Sequence, residues 1–185
     1  MVSLIIDNDI MLRSYRAEDA EELFAVVNAS RQHLHPWLSW VDATTKPDHS
    51  LQFIQTSLHQ LHTQEALALG ILYNDKIIGG IGMHNWDQNL KKAQIGYWLA
   101  KEYEGKGILH KSLPRFVSYL FDKIGLNKIE IHFIPGNKRS AKVAERLGCK
   151  VEGVIRQSLL RNGQPEDVVI TGLLKSEWKN QPHTN

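Results

Sequence analysis

A glycine turn between a strand-like run and a helix-like run carries the clearest chemical signal in this sequence. The segment IGYWLAKEYEGKGILHKSL (95–113) leaves its strand-like run near Ala100, contains Gly105 and Gly107, and continues as an amphipathic helix pattern. Glycine lets backbone N–H groups approach a ligand without interference from a Cβ. A helix N-terminus adds unpaired N–H groups and the positive end of the dipole. The turn predicts a phosphate or pyrophosphate site, although a purely structural turn remains open.

Two common nucleotide-binding patterns do not fit this turn. The phosphate-loop pattern GxxxxGK[ST] is absent, because Lys106 lies between the glycines and no Gly-Lys-Ser or Gly-Lys-Thr occurs. The dinucleotide pattern GxGxxG needs glycine at position 110, which is His110. A pyrophosphate ligand is therefore expected through some other fold.

A second segment, NKRSAKVAERLGCKVEG (137–153), predicts a capped helix followed by a strand. Asn137 is a good N-cap, Ser140 lies one turn into the helix, and Gly148 ends it. Caps and stop glycines occur in most helices, so this segment alone has a structural explanation. Cys149 is the single cysteine of the chain, which excludes an internal disulfide and a CxxC metal or redox site.

Strand-like and helix-like runs alternate around these segments, which predicts a mixed α/β domain. The predicted strands cover residues 10–15, 66–73, 76–85, 93–99, 128–134, 151–160 and 168–174. The predicted helices cover residues 16–30, a segment from 47 or 48 to about 61, a segment from the glycine turn to about 123, and 137–147. Pro36 and Pro47 bracket a segment that has the pattern of a loop. The pairs Asn74-Asp75 and Asn162-Gly163 predict hairpin turns.

The composition is that of an ordinary soluble globular protein. The 185 residues fit one domain, with 42% hydrophobic and 23% charged residues. The net charge of +2 is too small to favour electrostatic binding of nucleic acid or membranes. The N-terminus lacks the basic region of a signal peptide, and no apolar stretch approaches a membrane span. We expect a cytoplasmic protein.

Taken together, the glycine turn, the downstream Asn-x-x-Ser helix and a closing β-hairpin resemble the GCN5-related N-acetyltransferase (GNAT) superfamily. Within it, the chain resembles the Rim-type branch, which acetylates the N-termini of ribosomal proteins. The resemblance covers about residues 8–178. It rests chiefly on IIGGIGMHNW (77–86), IGYWLAKEYEGKGI (95–108) and the segment 137–153, and more loosely on residues 12–24 and 162–178.

The resemblance implies an α/β (α+β) GNAT fold. Its mixed, mostly antiparallel central sheet has splayed central strands and about four flanking helices. It also implies a single N-acetyltransferase domain over residues 8–178, followed by a C-terminal tail at 179–185.

The same resemblance implies acetyl-CoA as co-substrate. The superfamily's pyrophosphate pattern, Gln/Arg-x-x-Gly-x-Gly/Ala, falls on residues 104–109; Gly107 matches it, whereas Glu104 and Leu109 depart from it. A carboxylate beside a pyrophosphate repels it, so we expect Glu104 to point away, with Lys106 and Lys111 supplying compensating charge. The implied cofactor-binding residues are Tyr97, Trp98, Leu99, Glu104, Gly105, Lys106, Gly107, Ile108, Leu109, Asn137 and Ser140.

Attack of a neutral amine on the thioester requires donors for the oxyanion and a proton for the departing thiolate. The resemblance places the oxyanion donors on the main chain around residues 97–99. Many superfamily members use a Tyr proton donor where this chain has Ala144, whereas the Rim-type branch uses a Ser that matches Ser140. We expect Ser140 to be the donor; the alternative is that it only bonds the first helical turn.

The sequence is less informative about a base. Gln94 stands where related sequences often carry Glu, and an amide cannot usefully accept a proton. His84 is the remaining titratable candidate, although a lone strand histidine is more commonly structural. If no strong base is present, an α-amine is favoured: with a pKa of about 7.8, roughly a quarter of it is neutral at pH 7.4, against about one part in a thousand for a lysine.

Acceptor contacts are expected from His33, Trp37 and Trp40, which stand around Pro36 and could grip a peptide or pack as core. Asn85 and Gln94 are further acceptor-side candidates. His59 and His62 are three residues apart, but no third ligand is evident, so no metal is expected.

Three functions remain open at this point. The first is an N-terminal acetyltransferase acting on a protein, the second an acetyltransferase for a small amine such as a polyamine, amino acid or antibiotic. The third is a non-catalytic acetyl-CoA-binding module. A homo-oligomer built from dimers is expected through the hairpin around Asn162-Gly163, because family members often pair there.

Overall fold

The computed structural model describes residues 1–161 and 163–179. Contacts within the chain divide it into two compact units. Unit 1 comprises residues 1–84 and 96–115, and unit 2 comprises residues 85–95 and the chain from Phe116 onward.

The strands of unit 1 form an antiparallel arrangement in the order β1-β2-β3-β4. The strands span Ser3–Ile5 (β1), Ile10–Ser14 (β2), Leu67–Tyr73 (β3) and Lys76–Asp87 (β4), and the next strand, β5, spans Lys92–Leu99. Strands β4 and β5 each have residues in both units. The α-helices are Ala20–Ala29 (α1), Arg31–Leu34 (α2), Trp40–Ala43 (α3), Pro47–His62 (α4) and Ile108–Tyr119 (α5). Single 3-10 turns lie at Ala17–Asp19 and Lys101–Tyr103.

In unit 2, β6 (Lys128–Phe133) lies between a parallel and an antiparallel neighbour. Its parallel pairing with β5 runs over three residue pairs, from Lys92↔Lys128 to Gln94↔Glu130. On its other side it pairs antiparallel with β8 (Gln164–Leu174), which pairs antiparallel with β7 (Lys150–Arg161). Helix α6 spans Lys138–Arg146 and α7 spans Lys175–Lys179, and a π-helical turn follows α5 at Leu120–Ile124.

These elements confirm the predicted fold class, a mixed and mostly antiparallel sheet with flanking helices. The four longer helices, α1, α4, α5 and α6, correspond to the four predicted from hydrophobic spacing. Strand β1 and helix α7 are short elements that the sequence did not predict. The tail predicted at 179–185 lies, after Lys179, outside the described residues. No helix of the described part is long and apolar enough to cross a membrane.

The hairpin between β3 and β4 shows how local chemistry fixes a turn. Asn74 and Asp75 have φ values of 47° and 62°, both in the left-handed region that a tight two-residue hairpin requires. Asn and Asp adopt this region more readily than other residues with a Cβ. The turn predicted there is confirmed. In the second predicted hairpin, Asn162 lies outside the described residues, and Gly163 has a φ of 76°.

Unit 1 has an apolar core between its strands and the helices α1 and α4. Leu23 and Val27 of α1 and Ile54 of α4 are buried there with Tyr15, which stands at the end of β2. Beside this core, Arg13 donates two hydrogen bonds to the Asp19 carboxylate, at 2.6 and 2.9 Å.

The segment between Pro36 and Pro47 differs from the predicted loop, because it contains the short helix α3. The guanidinium of Arg31 donates to the backbone oxygens of Val41 and Thr44, and so satisfies carbonyls at the end of α3. Val41 is fully buried. The Arg31 hydrogen bonds and the burial of Val41 thus stabilise a helical turn in a segment whose prolines predict an irregular loop.

The middle of β4 is built from glycines because its neighbours approach too closely for a side chain. A Cβ on Gly79 would lie 2.3 Å from the backbone oxygen of Trp98, and one on Gly80 would lie 2.5 Å from Trp98 Nε1. A Cβ on Gly82 would lie 2.4 Å from the backbone oxygen of Leu67. The missing side chains of Gly79 and Gly80 thus let the backbone and ring of Trp98 lie directly against β4.

Candidate active site

The end of β5 lies against β4 and carries two of the predicted cofactor residues, Trp98 and Leu99. The N–H of Ala100 donates to the backbone oxygen of Ile78 at 2.8 Å. The ring of Trp98 makes an edge-to-face contact with Trp40, with centroids 5.9 Å apart and an interplanar angle of 63°. Aromatic pairs in this arrangement attract each other. The contact therefore joins the predicted acceptor segment to the end of β5.

The glycine turn has a backbone conformation that few residues other than glycine adopt. Gly105 and Gly107 both have a φ of 75°, in the left-handed region that favours glycine. A Cβ added at either position would meet no protein atom within 4 Å. Glycine is therefore required here by the backbone conformation and not by crowding. Because glycine has no side chain, the main chain of the turn stays accessible.

Helix α5 starts directly after this turn. The N–H of Lys111 donates to the backbone oxygen of Gly107 at 3.0 Å, which closes the first helical turn. The N–H groups of the preceding residues have no acceptor within the helix. Together with the accessible glycines, they fit the pyrophosphate of a CoA molecule.

The charges around the turn differ from the expectation. Lys111, expected to compensate Glu104, instead forms an ion pair with Asp7 at 2.7 Å. This hydrogen bond lowers the pKa of the Asp7 carboxyl and raises that of Lys111. Lys106 lies over the ring of Tyr103, with Nζ 4.8 Å from the ring centroid. The carboxylate of Glu104 contacts His33, with 3.0 Å between Oε1 and His33 Nε2.

In unit 2, the predicted cap of α6 is confirmed. The side-chain oxygen of Asn137 accepts a hydrogen bond from the backbone N–H of Ser140 at 3.0 Å. Ser140 is half-buried in the first turn of α6, and Ala144, where other superfamily members carry Tyr, is buried. Gly148 ends the helix with a φ of 79°, as predicted.

The remaining predicted site residues lie on β4 and β5. His84 is exposed on β4, with its Cε1 3.6 Å from the position that a Cβ on Gly96 of β5 would occupy. Asn85 is exposed and has a φ of 50°. Gln94 is paired in register with Glu130 of β6. Tyr97 is half-buried on β5, and Trp37 is 39% exposed beside Trp40, which is 40% exposed.

The predicted residues are thus brought together in pairs: His33 with Glu104 and Trp40 with Trp98 in unit 1, and Asn137 with Ser140 in unit 2. Sequence reasoning missed Tyr103, whose ring contacts Lys106 and also Tyr73, with ring centroids 5.9 Å apart. An aromatic residue two positions before Gly105 was the available signal.

A buried charge cluster on β6 was also missed. Glu130 is 6% exposed, and its carboxylate lies 3.0 Å from Lys128 Nζ, 3.0 Å from His132 Nε2 and 3.4 Å from Lys92 Nζ. Burial opposes the ionisation of Glu130, but the hydrogen bond and charge of Lys128, together with His132 and Lys92, outweigh burial, and the pKa of Glu130 is lowered. The alternation of polar residues at 128, 130 and 132 indicates that they share one face of the strand.

The fold and the turn are those of an acetyl-CoA-dependent N-acetyltransferase. The profile of the acetyltransferase (GNAT) domain matches residues 9–150, and the chain belongs to this family. The "Putative ribosomal N-acetyltransferase YdaF" of Bacillus subtilis (strain 168) is 34% identical over 182 residues, which cover 98% of this chain and 100% of that protein. The superfamily and the Rim-type branch predicted from the sequence are thereby confirmed.

Two further comparisons extend this result. The [ribosomal protein uS5]-alanine N-acetyltransferase of Escherichia coli (strain K12) is 27% identical over 91% of this chain and 89% of that protein. The crystal structure of the microcin C7 self-immunity acetyltransferase MccE, in complex with acetyl-CoA and AMP, superposes with a TM-score of 0.88. It is 28% identical and covers 91% of this chain and 94% of that chain.

Proposed function

We propose that this chain transfers the acetyl group of acetyl-CoA to the N-terminal α-amine of a protein, and that the protein is ribosomal. The observation that carries the proposal is the similarity to YdaF along 98% of the chain. The similarity to an enzyme named for alanine of ribosomal protein uS5 supports the same acceptor. Because an α-amine is far more often neutral near pH 7 than a lysine side chain, such an acceptor also needs less help from a base.

The pyrophosphate of acetyl-CoA binds, in this proposal, at residues 104–109. The N–H groups that precede Lys111 at the start of α5 supply the donors, and Gly105 and Gly107 keep the main chain accessible to them. The backbone of residues 97–99 in unit 1 and, in unit 2, the Asn137 end of α6 are the further cofactor contacts in this proposal.

The chemistry is a direct acyl transfer. The neutral amine attacks the thioester carbonyl carbon, a C–N bond forms, and main-chain N–H groups near Tyr97–Leu99 stabilise the oxyanion. The intermediate then collapses, the C–S bond breaks, and the hydroxyl of Ser140 gives a proton to the thiolate. His84 accepts the proton lost by the nitrogen, and exchange with solvent restores both side chains.

The acceptor contacts proposed in unit 1 are Trp37 and Trp40. Both rings are more than a third exposed, and Trp40 is positioned by its edge-to-face contact with Trp98. Rigid aromatic surfaces of this kind bind extended peptides at low entropic cost. Asn85 and Gln94 are the acceptor-side residues proposed in unit 2.

A small amine is the second candidate acceptor. The observation in its favour is the similarity to MccE, a self-immunity acetyltransferase whose structure contains AMP beside acetyl-CoA. A non-catalytic acetyl-CoA-binding module is the third function, and it predicts binding without turnover.

One experiment separates these functions. Acetyl-CoA turnover is measured with a panel of ribosomal-protein N-terminal peptides, the same peptides with a blocked N-terminus, and a set of small amines. Mass spectrometry then locates the added acetyl group, which is the label. Acetylation of the free α-amines, with none on the blocked peptides, is expected. Label found only on internal lysines contradicts the proposal, label found only on small amines favours the second candidate, and binding without turnover favours the third.

We further propose that residues 8–178 act as one N-acetyltransferase domain, with 179–185 as a tail, in the cytoplasm where ribosomal proteins are made. The family match to residues 9–150 takes in residues of both units and supports a single domain.

A homo-oligomer built from dimers belongs to the same proposal. Apolar side chains on β7 support it, since exposed apolar strands favour pairing between chains. They are Val151, Val154, Ile155, Leu159 and Leu160, from 44% to 69% exposed. Light scattering on the eluting protein tests this: a mass of two or more chains is expected, and a monomer contradicts it.

A further inference from the structure

A carboxylate–imidazole pair lies on β6, in unit 2. His132 Nε2 and Glu130 Oε2 are 3.0 Å apart. The two residues are two positions apart on one strand, so their side chains share one face of the sheet. Glu130 is buried, whereas 24% of the His132 side chain is exposed. Of the two partners, the imidazole is therefore the one that a substrate can reach.

The carboxylate fixes the tautomer of this imidazole. Because the pKa of Glu130 is lowered, its carboxylate is ionised near neutral pH and only accepts hydrogen bonds. Nε2 of His132 therefore carries the hydrogen, and in the neutral ring the lone pair is on Nδ1. Nδ1 has no hydrogen-bond partner in residues 1–161 and 163–179. A carboxylate that orients an imidazole in this way recurs where a histidine accepts a proton during catalysis.

The other oxygen of the same carboxylate binds two lysines. Lys128 Nζ lies 3.0 Å and Lys92 Nζ 3.4 Å from Glu130 Oε1. Lys128 is also paired with Glu152 of β7. The lysines thus hold the carboxylate from one side, and its second oxygen orients His132.

The pair lies beside Gln94, one of the proposed acceptor-side residues. Glu130 is in register with Gln94 of β5, and Lys92, two residues before Gln94, reaches the Glu130 carboxylate. Gln94 is therefore on the face of the sheet that carries Glu130 and His132. Related sequences often carry Glu where this chain has Gln94, and an amide cannot usefully accept a proton. The neighbouring strand supplies a proton acceptor close to the level at which β5 lacks one.

The strand that carries His132 leads directly to the proposed proton donor. After β6, the N–H of Asn137 donates to the backbone oxygen of Ile134 at 2.9 Å, and Asn137 caps the helical turn that contains Ser140. His132 and Ser140 thus belong to one unit and are separated by one short connection. Acyl transfer to an amine needs both functions, a group that accepts a proton from nitrogen and a group that gives one to sulfur.

We propose that His132 is a catalytic residue, the general base that accepts a proton from the attacking amine at Nδ1. This inference rests on the proposed function and changes one step of its chemistry, because the proton goes to His132 and not to His84. As the C–N bond forms, the Nδ1 lone pair takes one proton from the amine nitrogen, and the resulting imidazolium faces the Glu130 carboxylate. The electron pair of the breaking C–S bond stays on sulfur, which takes its proton from Ser140. Solvent then removes the proton from His132 and returns one to Ser140.

Chemical rescue tests the inference. The wild type, His132→Ala and His132→Gln are compared in kcat, in the KM for a ribosomal-protein N-terminal peptide and in the Kd for acetyl-CoA, with and without added imidazole. We expect kcat of both variants to fall by about 10²- to 10⁴-fold, because the base is lost. The Kd for acetyl-CoA should stay within about twofold of the wild type. Imidazole should raise kcat of His132→Ala about tenfold or more and leave the wild type unchanged.

His132→Gln separates the base from the contact with Glu130. The Gln amide N–H₂ can still donate to the carboxylate, but the side chain cannot accept a proton. This variant should therefore keep the melting temperature of the wild type and lose as much kcat as His132→Ala. It also remains informative if the alanine variant does not fold.

His35→Ala is the matched control. His35 is likewise paired with a carboxylate, with its Nδ1 2.7 Å from Asp42 Oδ1, but it lies in unit 1 and is exposed. Its loss should leave kcat unchanged, with or without imidazole. It also sets the background of peptide acetylation in imidazole.

Three results would overturn the inference. The first is a kcat within about threefold of the wild type in His132→Gln, which makes the contact with Glu130 structural. The second is a loss of kcat in His132→Ala that imidazole does not restore. The third is rescue by imidazole of His84→Ala and not of His132→Ala, which assigns the base to His84. Each of these leaves N-terminal acetylation by the wild type intact.

Failure of the proposed function is visible in the wild type alone. If the wild type acetylates only small amines, the proposed acceptor is wrong, and the same variants are compared with the amine that is acetylated. If the wild type acetylates nothing, the proposed function is contradicted, and the catalytic role of His132 with it.

Discussion

The side chain of Asn137 caps helix α6 by accepting a hydrogen bond from the backbone N–H of Ser140, at 3.0 Å. This hydrogen bond uses the main chain of Ser140. A substitution that removes only the hydroxyl therefore keeps this cap. Structural and catalytic roles of this short segment can be separated by changing the two residues one at a time.

Ser140→Ala should lower kcat by about 10²- to 10⁴-fold, because it removes the proposed proton donor to the CoA thiolate. The Kd for acetyl-CoA and the melting temperature should stay close to the wild type. Asn137→Ala serves as the structural comparison, and it should lower the free energy of unfolding by about 1 kcal/mol through loss of the cap. If kcat of Ser140→Ala stays within about threefold of the wild type, the proton comes from another donor.

Gly107→Val should abolish measurable binding of acetyl-CoA in a calorimetric titration. A branched side chain would occupy the space beside the N–H groups at the start of α5. Any residue with a Cβ is also strained by roughly 1–2 kcal/mol at a φ of 75°, so a control for this strain is needed.

Gly125→Val provides that control. Gly125 has a φ of 84°, and a Cβ there would likewise meet no protein atom within 4 Å, but it follows the π-helical turn rather than preceding α5. It should lower stability to a similar extent and leave the Kd for acetyl-CoA unchanged. Equal loss of affinity in both variants would attribute the effect to strain.

The parts of the fold that could be predicted are those fixed by neighbouring residues. Pro47 starts α4 because its fixed φ and missing N–H suit the first helical position, and Asn74-Asp75 forms the turn that its residue types favour. The same holds for the Asn137 cap and for the positive φ of Gly107 in the candidate site.

The parts that could not be predicted depend on contacts between distant segments. Nothing in the neighbourhood of Arg31 shows that it will reach the carbonyl of Thr44 and order α3. The partners of Glu104 and Lys111 are likewise set by tertiary packing, and residue type alone does not show that Lys111 pairs with Asp7. For the site, the sequence thus located the glycine turn at the start of α5 but not the ion pairs of the side chains around it.

Cys149 should be unreactive in the folded protein. Burial raises the pKa of its thiol to about 12, an effect that a hydrogen bond with Thr171 only partly offsets. Since the thiolate is the reactive form, modification by Ellman's reagent at pH 8 should be about a thousandfold slower than for a free thiol. Unfolding in guanidinium should restore rapid reaction with one thiol per chain. Stoichiometric modification of the native protein within seconds would contradict this.

Asp19 should make stability dependent on pH in the acidic range. Its burial opposes ionisation, but hydrogen bonds from Arg13 and from the backbone of Arg16 outweigh burial and lower the pKa below its usual value of 3.8. As the pH falls, Asp19 therefore binds a proton in the unfolded chain before it does so in the folded chain. The stabilising contribution of Asp19 is present above the usual pKa and is lost as the pH falls through the lower pKa of the folded state.

Asp19→Asn should lower the free energy of unfolding at pH 7 by about 3 kcal/mol, because it leaves the Arg13 charge without its partner. It should also flatten the decline of stability below about pH 4. The control is Asp48→Asn, which removes an exposed ion pair with Lys46 and should change stability by less than about 1 kcal/mol. Equal effects of the two substitutions in denaturant titrations would refute the prediction.

The glycines of β4 have a consequence for any effort to redirect the enzyme toward new amines. Since Gly79, Gly80 and Gly82 have no room for even a methyl group, variants randomised at these positions would be dominated by misfolded protein. Trp37 and Trp40, in contrast, are exposed. They belong to the segment to which the Arg31 side chain donates hydrogen bonds. A combinatorial library for altered acceptor choice should therefore keep the strand constant and diversify the two tryptophans.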